Sequence, residues 1–137
     1  AAAEGFRAGL VAFAGTRPVH GECGGYMVLG VGLVDAAGEQ HAMAGLLGHA
    51  TSFAQRRMNL GYREATLRKD CSVGPAGGVV RGHEFHYARV IEAGTDEPVA
   101  DLRDAAGRAI GPSGGRRGRV TGTFFHAIAG VDPVCSE

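Results

Sequence analysis

At 137 residues, 45% of them apolar, the chain is sized for one small domain with a real core, or for part of a larger one. Fourteen basic and fourteen acidic residues cancel, so no global charge favours nucleic acid or a membrane surface, and the 24 glycines follow no period, which fits many turns and excludes collagen. Three cysteines, Cys23, Cys71 and Cys135, have an odd count and no metal-ligand spacing, which argues against a disulfide framework and points to a reducing, cytoplasmic setting.

"AAAEGFRAGLVAFAG" lacks the order of a signal peptide, and no stretch approaches the ~20 apolar residues of a membrane span. Residues 2–14 read as a helix, with Phe6, Leu10 and Phe13 on one face and Gly15 as the stop. The pattern begins abruptly, so the domain is expected to start upstream. "RPVHG" reads as a short strand entering a glycine turn, and Tyr26–Leu29 as a second helix. Strand, tight turn and helix in succession mark an α/β sheet.

Beyond residue 30 the chain turns strand-rich. "GLVD" and "HAMAGLLGHA" are short segments around a turn at Ala36–Glu39. "SFAQRRMNLGYREATLRKD" shows partial alternation of Phe53, Met58, Leu60 and Tyr62 about a glycine, and "VVRGHEFHYARVIEAG" alternates at Phe85, Tyr87 and Val90. "SVGPAGG" is a loop, "DAAGR" at 104–108 a hairpin turn, and "GGRRGRV" at 114–120 a solvated basic loop. "GRVTGTFFHAIAG" reads as one more strand, ending on a histidine, and "VDPVCSE" as a patternless tail.

The chemistry concentrates in "VHGECGGYMVLG", residues 19–30. A nucleophile on a strand-to-helix turn is held up at the carboxyl edge of a sheet, with the next amide aimed where an oxyanion forms. Such a turn crowds the backbone, which accounts for Gly21 and Gly25 on either side of Cys23, and a helix N-terminus favours the thiolate. The bland alternative is a small buried residue in a glycine-rich turn. A thiol also needs a base nearby. Of six histidines, His20 precedes the elbow and alternates away from Gly21, while His41 and His49 lie in the turn-rich middle. His83 and His86 face opposite sides of one strand, which also argues against a shared metal ion. His126, ending "TGTFFH", is the best-placed base, because α/β enzymes carry catalytic groups at strand ends.

With the elbow, "GHEFHY" and "GTFFH" in this order, the chain resembles the glutaminase domain of the cobyrinic acid and cobyric acid synthases, triad-type glutamine amidotransferases of corrinoid biosynthesis. "ECGGYM", with Met27 where cobyric acid synthases carry glutamine, resembles the a,c-diamide synthase branch, which acts on cobyrinic or hydrogenobyrinic acid. The resemblance implies an α/β fold: a partial class I glutamine amidotransferase-like, flavodoxin-like sheet with a strand-rich C-terminal half. It would occupy residues 1–130, with its opening strands and oxyanion loop upstream and 131–137 as a tail.

The resemblance also implies roles. Cys23 would attack the glutamine side-chain amide, His126 would serve as base and then protonate departing ammonia, and Gly24 would offer an oxyanion contact. His83, Glu84 and His86 would touch substrate or serve structure. Ammonia would pass to a synthetase domain in which ATP and Mg2+ activate the corrinoid carboxylates. No G-x-x-x-x-G-K-[ST] loop occurs here, so that domain is expected outside this chain, and no cofactor or metal is expected within it. The glutamate usual two residues after the triad histidine is replaced by Ile128. Two alternatives stand beside this reading: glutaminase of cobyric acid synthase or a related amidoligase, and an inactive interaction fragment.

Overall fold

The computed structural model describes residues 2–54 and 58–131, and the expected tail beyond Val131, with Cys135, lies outside them. The first helix forms as expected over Ala2–Ala14 (α1), with Glu4 complementing the positive end of its dipole. Its apolar stripe is only half used. Leu10 and Ala14 pack against the core, whereas Phe6 and Phe13 remain 65% and 50% exposed because the cluster beneath α1 reaches only the former pair.

Three sheets follow. The first holds Val19–Glu22 (β1), Val120–Thr123 (β11) and Gly115–Arg117 (β10) in the order β1-β11-β10. Strands β1 and β11 run parallel, in the register Val19↔Val120 to Glu22↔Thr123. Between β1 and Gly24–Leu29 (α2) stands Cys23, so the α/β character of the fold resides in this one β–turn–α unit. The second sheet holds Gly32–Val34 (β2), Gln40–Ala42 (β3), Ala50–Ser52 (β4) and Arg89–Glu92 (β7), in the order β3-β2-β4-β7. The third joins Asn59–Leu67 (β5), Val79–His86 (β6), Ala100–Asp104 (β8), Ala109–Ser113 (β9) and His126–Val131 (β12), in the order β12-β6-β5-β8-β9.

Two hairpins share one local device. In "DAAGE" at 35–39 and "DAAGR" at 104–108, the aspartate Oδ1 accepts the amide protons of the residues two and four further on, each at 2.9 Å. Gly38 and Gly107 then take the positive φ of 86° and 82° that closes each turn. Both turns match the sequence expectation.

Strand faces do not follow the apolar alternation. On β5, Ala65 and Leu67 are buried, while Leu60 and Tyr62, on the opposite face, are 61% and 73% exposed. On β6 and β7 the read residues Phe85 and Val90 also face outward, and Val80 and His86 face in. His86 tolerates burial because its Nδ1 lies 2.7 Å from the Ala88 carbonyl and its ring stacks on Phe124 at 4.0 Å. The basic segment is likewise no loop: Gly115–Arg117 is strand β10, Arg117 pairs at 2.8 Å with Asp96, whose side chain is 5% exposed, and Arg119 donates to the Thr16 carbonyl.

The expected single strand over 118–130 is in fact two, in different sheets. Phe124 enters the cluster of Tyr26, Met27, Leu29, Leu47, Ala88 and Val120. Phe125 enters the other, with Ala65, Leu67, Val80, Val99, Ala100 and Leu102. Consecutive aromatics anchored in separate cores make the chain cross from β11 to β12. His126 therefore begins a strand instead of ending one.

Candidate functional site

The site starts from the steric demands of the elbow. Cys23 has φ 54° and ψ −109°, the one positive φ of a non-glycine side chain among the described residues. An L side chain is strained there, and such strain persists only where surroundings over-determine it. The surroundings are visible: the Cys23 amide donates to the Thr123 carbonyl at 2.8 Å, and its own carbonyl accepts the Met27 amide at 3.1 Å, the first turn of α2.

The flanking glycines divide in role. A Cβ on Gly21 would lie 2.7 Å from the Gly25 carbonyl carbon and 2.8 Å from Leu29 Cδ1, so α2 can sit on β1 only if residue 21 lacks one. Gly122, its partner on β11, is equally required, since a Cβ there would stand 2.6 Å from the Tyr26 ring. Gly24 and Gly25 themselves point into open space. This corrects the reading of Gly25 as crowded: its backbone is what crowds Gly21. Gly24 begins α2, so its N–H has no acceptor within the helix and is available to a developing negative charge.

Cys23 is half-buried, and its thiol lies 3.8 Å from the Phe85 carbonyl on β6. Two residues back along β6, His83 pairs in register with His126, and the two rings stack at 5.2 Å and 21°. The Thr123 carbonyl that holds Cys23 is three residues before His126. Cysteine and histidine are thus carried on adjoining segments with no hydrogen bond between them among the described residues. In proteins without bound substrate such pairs are often open and tighten on binding.

The remaining candidates separate. His83 belongs with His126. His86 lies on the buried side of β6 against Phe124, and Glu84 is engaged with Arg63 at 3.1 Å, so both serve the fold. His83 and His86 thus lie on opposite faces of β6, as the strand alternation predicts. Asp35, Glu39 and His41 bring ligand atoms within 4.8 Å of one another, but Asp35 and Glu39 close the β2–β3 turn and His41 on β3 lies 2.8 Å from Asp35.

Sequence reasoning missed several supports. His49 is 1% exposed, stacks on Tyr26 at 3.8 Å and lies 2.8 Å from the Tyr26 carbonyl through Nε2. It forms the floor beneath α2, where burial pulls its imidazole below the usual range, against the opposing pull of the Tyr26 carbonyl and Asp96. Burial, with the charge of Asp96 adding, pushes the Tyr26 phenol up to about 12. Gly82 is another support: a Cβ on it would strike the His126 carbonyl and come within 2.7 Å of the Phe125 ring. A glycine inside a strand pattern, where another backbone approaches closely, was the available signal. The outward faces of β5 and β6, with Leu60, Tyr62 and Phe85, extend from the thiol as an exposed apolar strip, continued by Ile128 beside His126.

A cysteine strained on the turn between β1 and α2, an amide at the head of that helix and a histidine at the start of β12 give this α/β domain a strand–turn–helix elbow. The chain belongs to the CobB/CobQ-like glutamine amidotransferase domain family, whose profile matches residues 1–134. It is 67% identical over 129 residues to a hydrogenobyrinate a,c-diamide synthase of Mesorhizobium japonicum, covering 94% of this chain and 29% of that protein. The like-named protein of Agrobacterium fabrum is 68% identical over 127 residues, covering 93% of this chain and 29% of that protein. That of Rhodobacter capsulatus is 58% identical over 130 residues, covering 95% and 30%. The chain thus spans less than a third of the length of these relatives. Among the described residues no helix is long and apolar enough to cross a membrane.

Proposed function

We propose that this chain is the glutamine-hydrolysing portion of an ATP-dependent hydrogenobyrinate a,c-diamide synthase, with Cys23 as nucleophile and His126 as base. The observation that carries the reading is the positive-φ cysteine, clamped between the Thr123 carbonyl and the first turn of α2. Strain of this kind is retained where a side chain must be presented for chemistry. The shared name of the three relatives supports the corrinoid acceptor.

In this reading His126 takes the thiol proton and Sγ forms a bond to the glutamine side-chain carbonyl carbon. The Gly24 amide faces the oxyanion. When the tetrahedral intermediate collapses, the C–N bond breaks, His126 returns the proton to nitrogen, and ammonia leaves a γ-glutamyl thioester. Water, deprotonated by the same imidazole, then attacks the thioester carbonyl; the C–S bond breaks, glutamate leaves, and His126 returns the proton to the Cys23 sulfur. ATP and Mg2+ would act in the remainder of the longer enzyme, since no residues of this chain form a phosphate loop. They would activate the a- and c-carboxylates that ammonia attacks.

The test is Cys23→Ala in the full-length enzyme. Glutamine-driven amidation is expected to disappear while amidation driven by free ammonia stays within about twofold, on the logic that only the transition states of glutamine hydrolysis use this sulfur. Equal loss of both activities would overturn the assignment. Assaying a few different corrinoid carboxylates as acceptors with the full-length enzyme separates the two amidoligase readings.

A further inference from the structure

Ile128 stands where triad glutaminases carry the acid that orients their histidine, and it is 65% exposed. The structure offers a carboxylate from another direction. Side chains alternate along a strand, so on β1 the requirement that Gly21 face α2 puts His20 and Glu22 together on the other side. There Glu22 Oε2 accepts the backbone N–H of Ala127 at 3.1 Å, across 105 residues of sequence. The same oxygen lies 3.3 Å from His20 Nε2, and His20 Nδ1 lies 2.7 Å from Thr121 Oγ1 on β11. Both side chains are largely shielded, with 26% of Glu22 and 15% of His20 exposed.

The amide that Glu22 holds is the one immediately after His126. At this point β12 is irregular: its pairing with β6 shifts between Ala127 and Ala129, so the ladder alone sets the position of this backbone weakly. A side-chain acceptor for the Ala127 N–H at the bulge supplies what the ladder lacks. It also ties the strand carrying His126 to the residue that immediately precedes Cys23.

We infer that Glu22 is a positioning residue for glutamine hydrolysis, its carboxylate holding the Ala127 amide so that His126 is presented to Cys23, with His20 and Thr121 bracing the carboxylate. This rests on the assignment of Cys23 and His126 made above. The role differs from that of the usual triad acid, because Glu22 fixes the backbone beside the histidine and is not hydrogen-bonded to the ring. What it requires of residue 22 is therefore an acceptor oxygen of the right reach; a charge is not needed.

The full-length enzyme carrying Glu22→Gln, Glu22→Asp or Glu22→Ala discriminates. Misplacement of a catalytic group by about 1 Å costs up to about a hundredfold in rate. Glu22→Ala and the shorter Glu22→Asp are expected to lower the glutaminase kcat roughly 10–100-fold, with KM for glutamine within about threefold and ammonia-driven amidation unchanged. Glu22→Gln keeps an oxygen of the same reach and is expected to recover to within about fivefold of the wild type. A rise in KM with kcat intact would make Glu22 a substrate contact, and equal inactivation by Gln and Ala would make its charge the essential property. Either result overturns the inference, as does full activity of Glu22→Ala. Should Glu22→Ala also lose ammonia-driven activity, through misfolding, the Asp and Gln pair decides by the same criteria. Retained glutamine-driven activity in Cys23→Ala would sink the site assignment itself; an inactive Cys23→Ala beside a fully active Glu22→Ala would sink only the positioning role.

Discussion

Replacing Cys23 by glycine should stabilise the fold while abolishing the nucleophile. At φ 54° and ψ −109° the Cβ of residue 23 is pressed toward its own backbone, a conformation open to glycine and costly for any L residue. The strain is worth about 1–3 kcal/mol. Against it stands the extra unfolded-state freedom of glycine, about 0.4–1 kcal/mol. The side chain forfeits little else, because Cys23 is only half-buried and its thiol contact with Phe85 is long, at 3.8 Å. The balance leaves Cys23→Gly roughly 1 kcal/mol more stable than Cys23→Ala, which keeps its Cβ and hence the strain. For a domain of this size that is a rise of roughly 3–5 °C in Tm. Calorimetry on the two variants and the wild type at neutral pH reads it directly. A glycine variant that melts at or below the alanine variant would refute the claim that the elbow stores backbone strain.

Two further outcomes test the surroundings of the site. Gly82→Ala should lower stability by about 1–3 kcal/mol in urea unfolding and lower glutamine hydrolysis with it, because its methyl would push β12 and His126 away from β6. Gly24→Ala, with open space at its Cβ, should stay within about 0.5 kcal/mol, and similar losses in the two would contradict the packing described. The second concerns His49. With its imidazole held below the usual range by burial, the folded chain resists a proton that the unfolded chain accepts below about pH 6.5. Stability should therefore fall as pH drops through that value and level off below the folded-state pKa. Urea midpoints at pH 7.5 and pH 5 should differ less in His49→Gln than in the wild type, and equal differences would remove His49 as the cause.

Local steric rules made part of this protein readable. A cysteine two residues after Gly21, at the junction of a short strand and a helix, announced the elbow, because the close approach of α2 to β1 admits no side chain at residue 21. The two "DAAG" turns were legible because the aspartate and the glycine that close each of them are three residues apart. Pairing of distant segments was not legible. Leu60, Tyr62 and Phe85 look like core residues by alternation, yet face outward, since which side of a strand is covered depends on what packs there. The break at Phe124–Phe125 has the same origin, as its two rings answer to clusters assembled from remote strands.

The amino-acid order by itself determined where the chain must kink and which sulfur the kink displays, because backbone sterics act between neighbours. Only the folded arrangement decided that Gly122 must clear room for Tyr26, that His126 opens a strand against His83, and that Glu22 reaches the amide of Ala127. Those contacts join residues up to 105 positions apart, and no local rule links them until the sheets bring them within hydrogen-bonding distance.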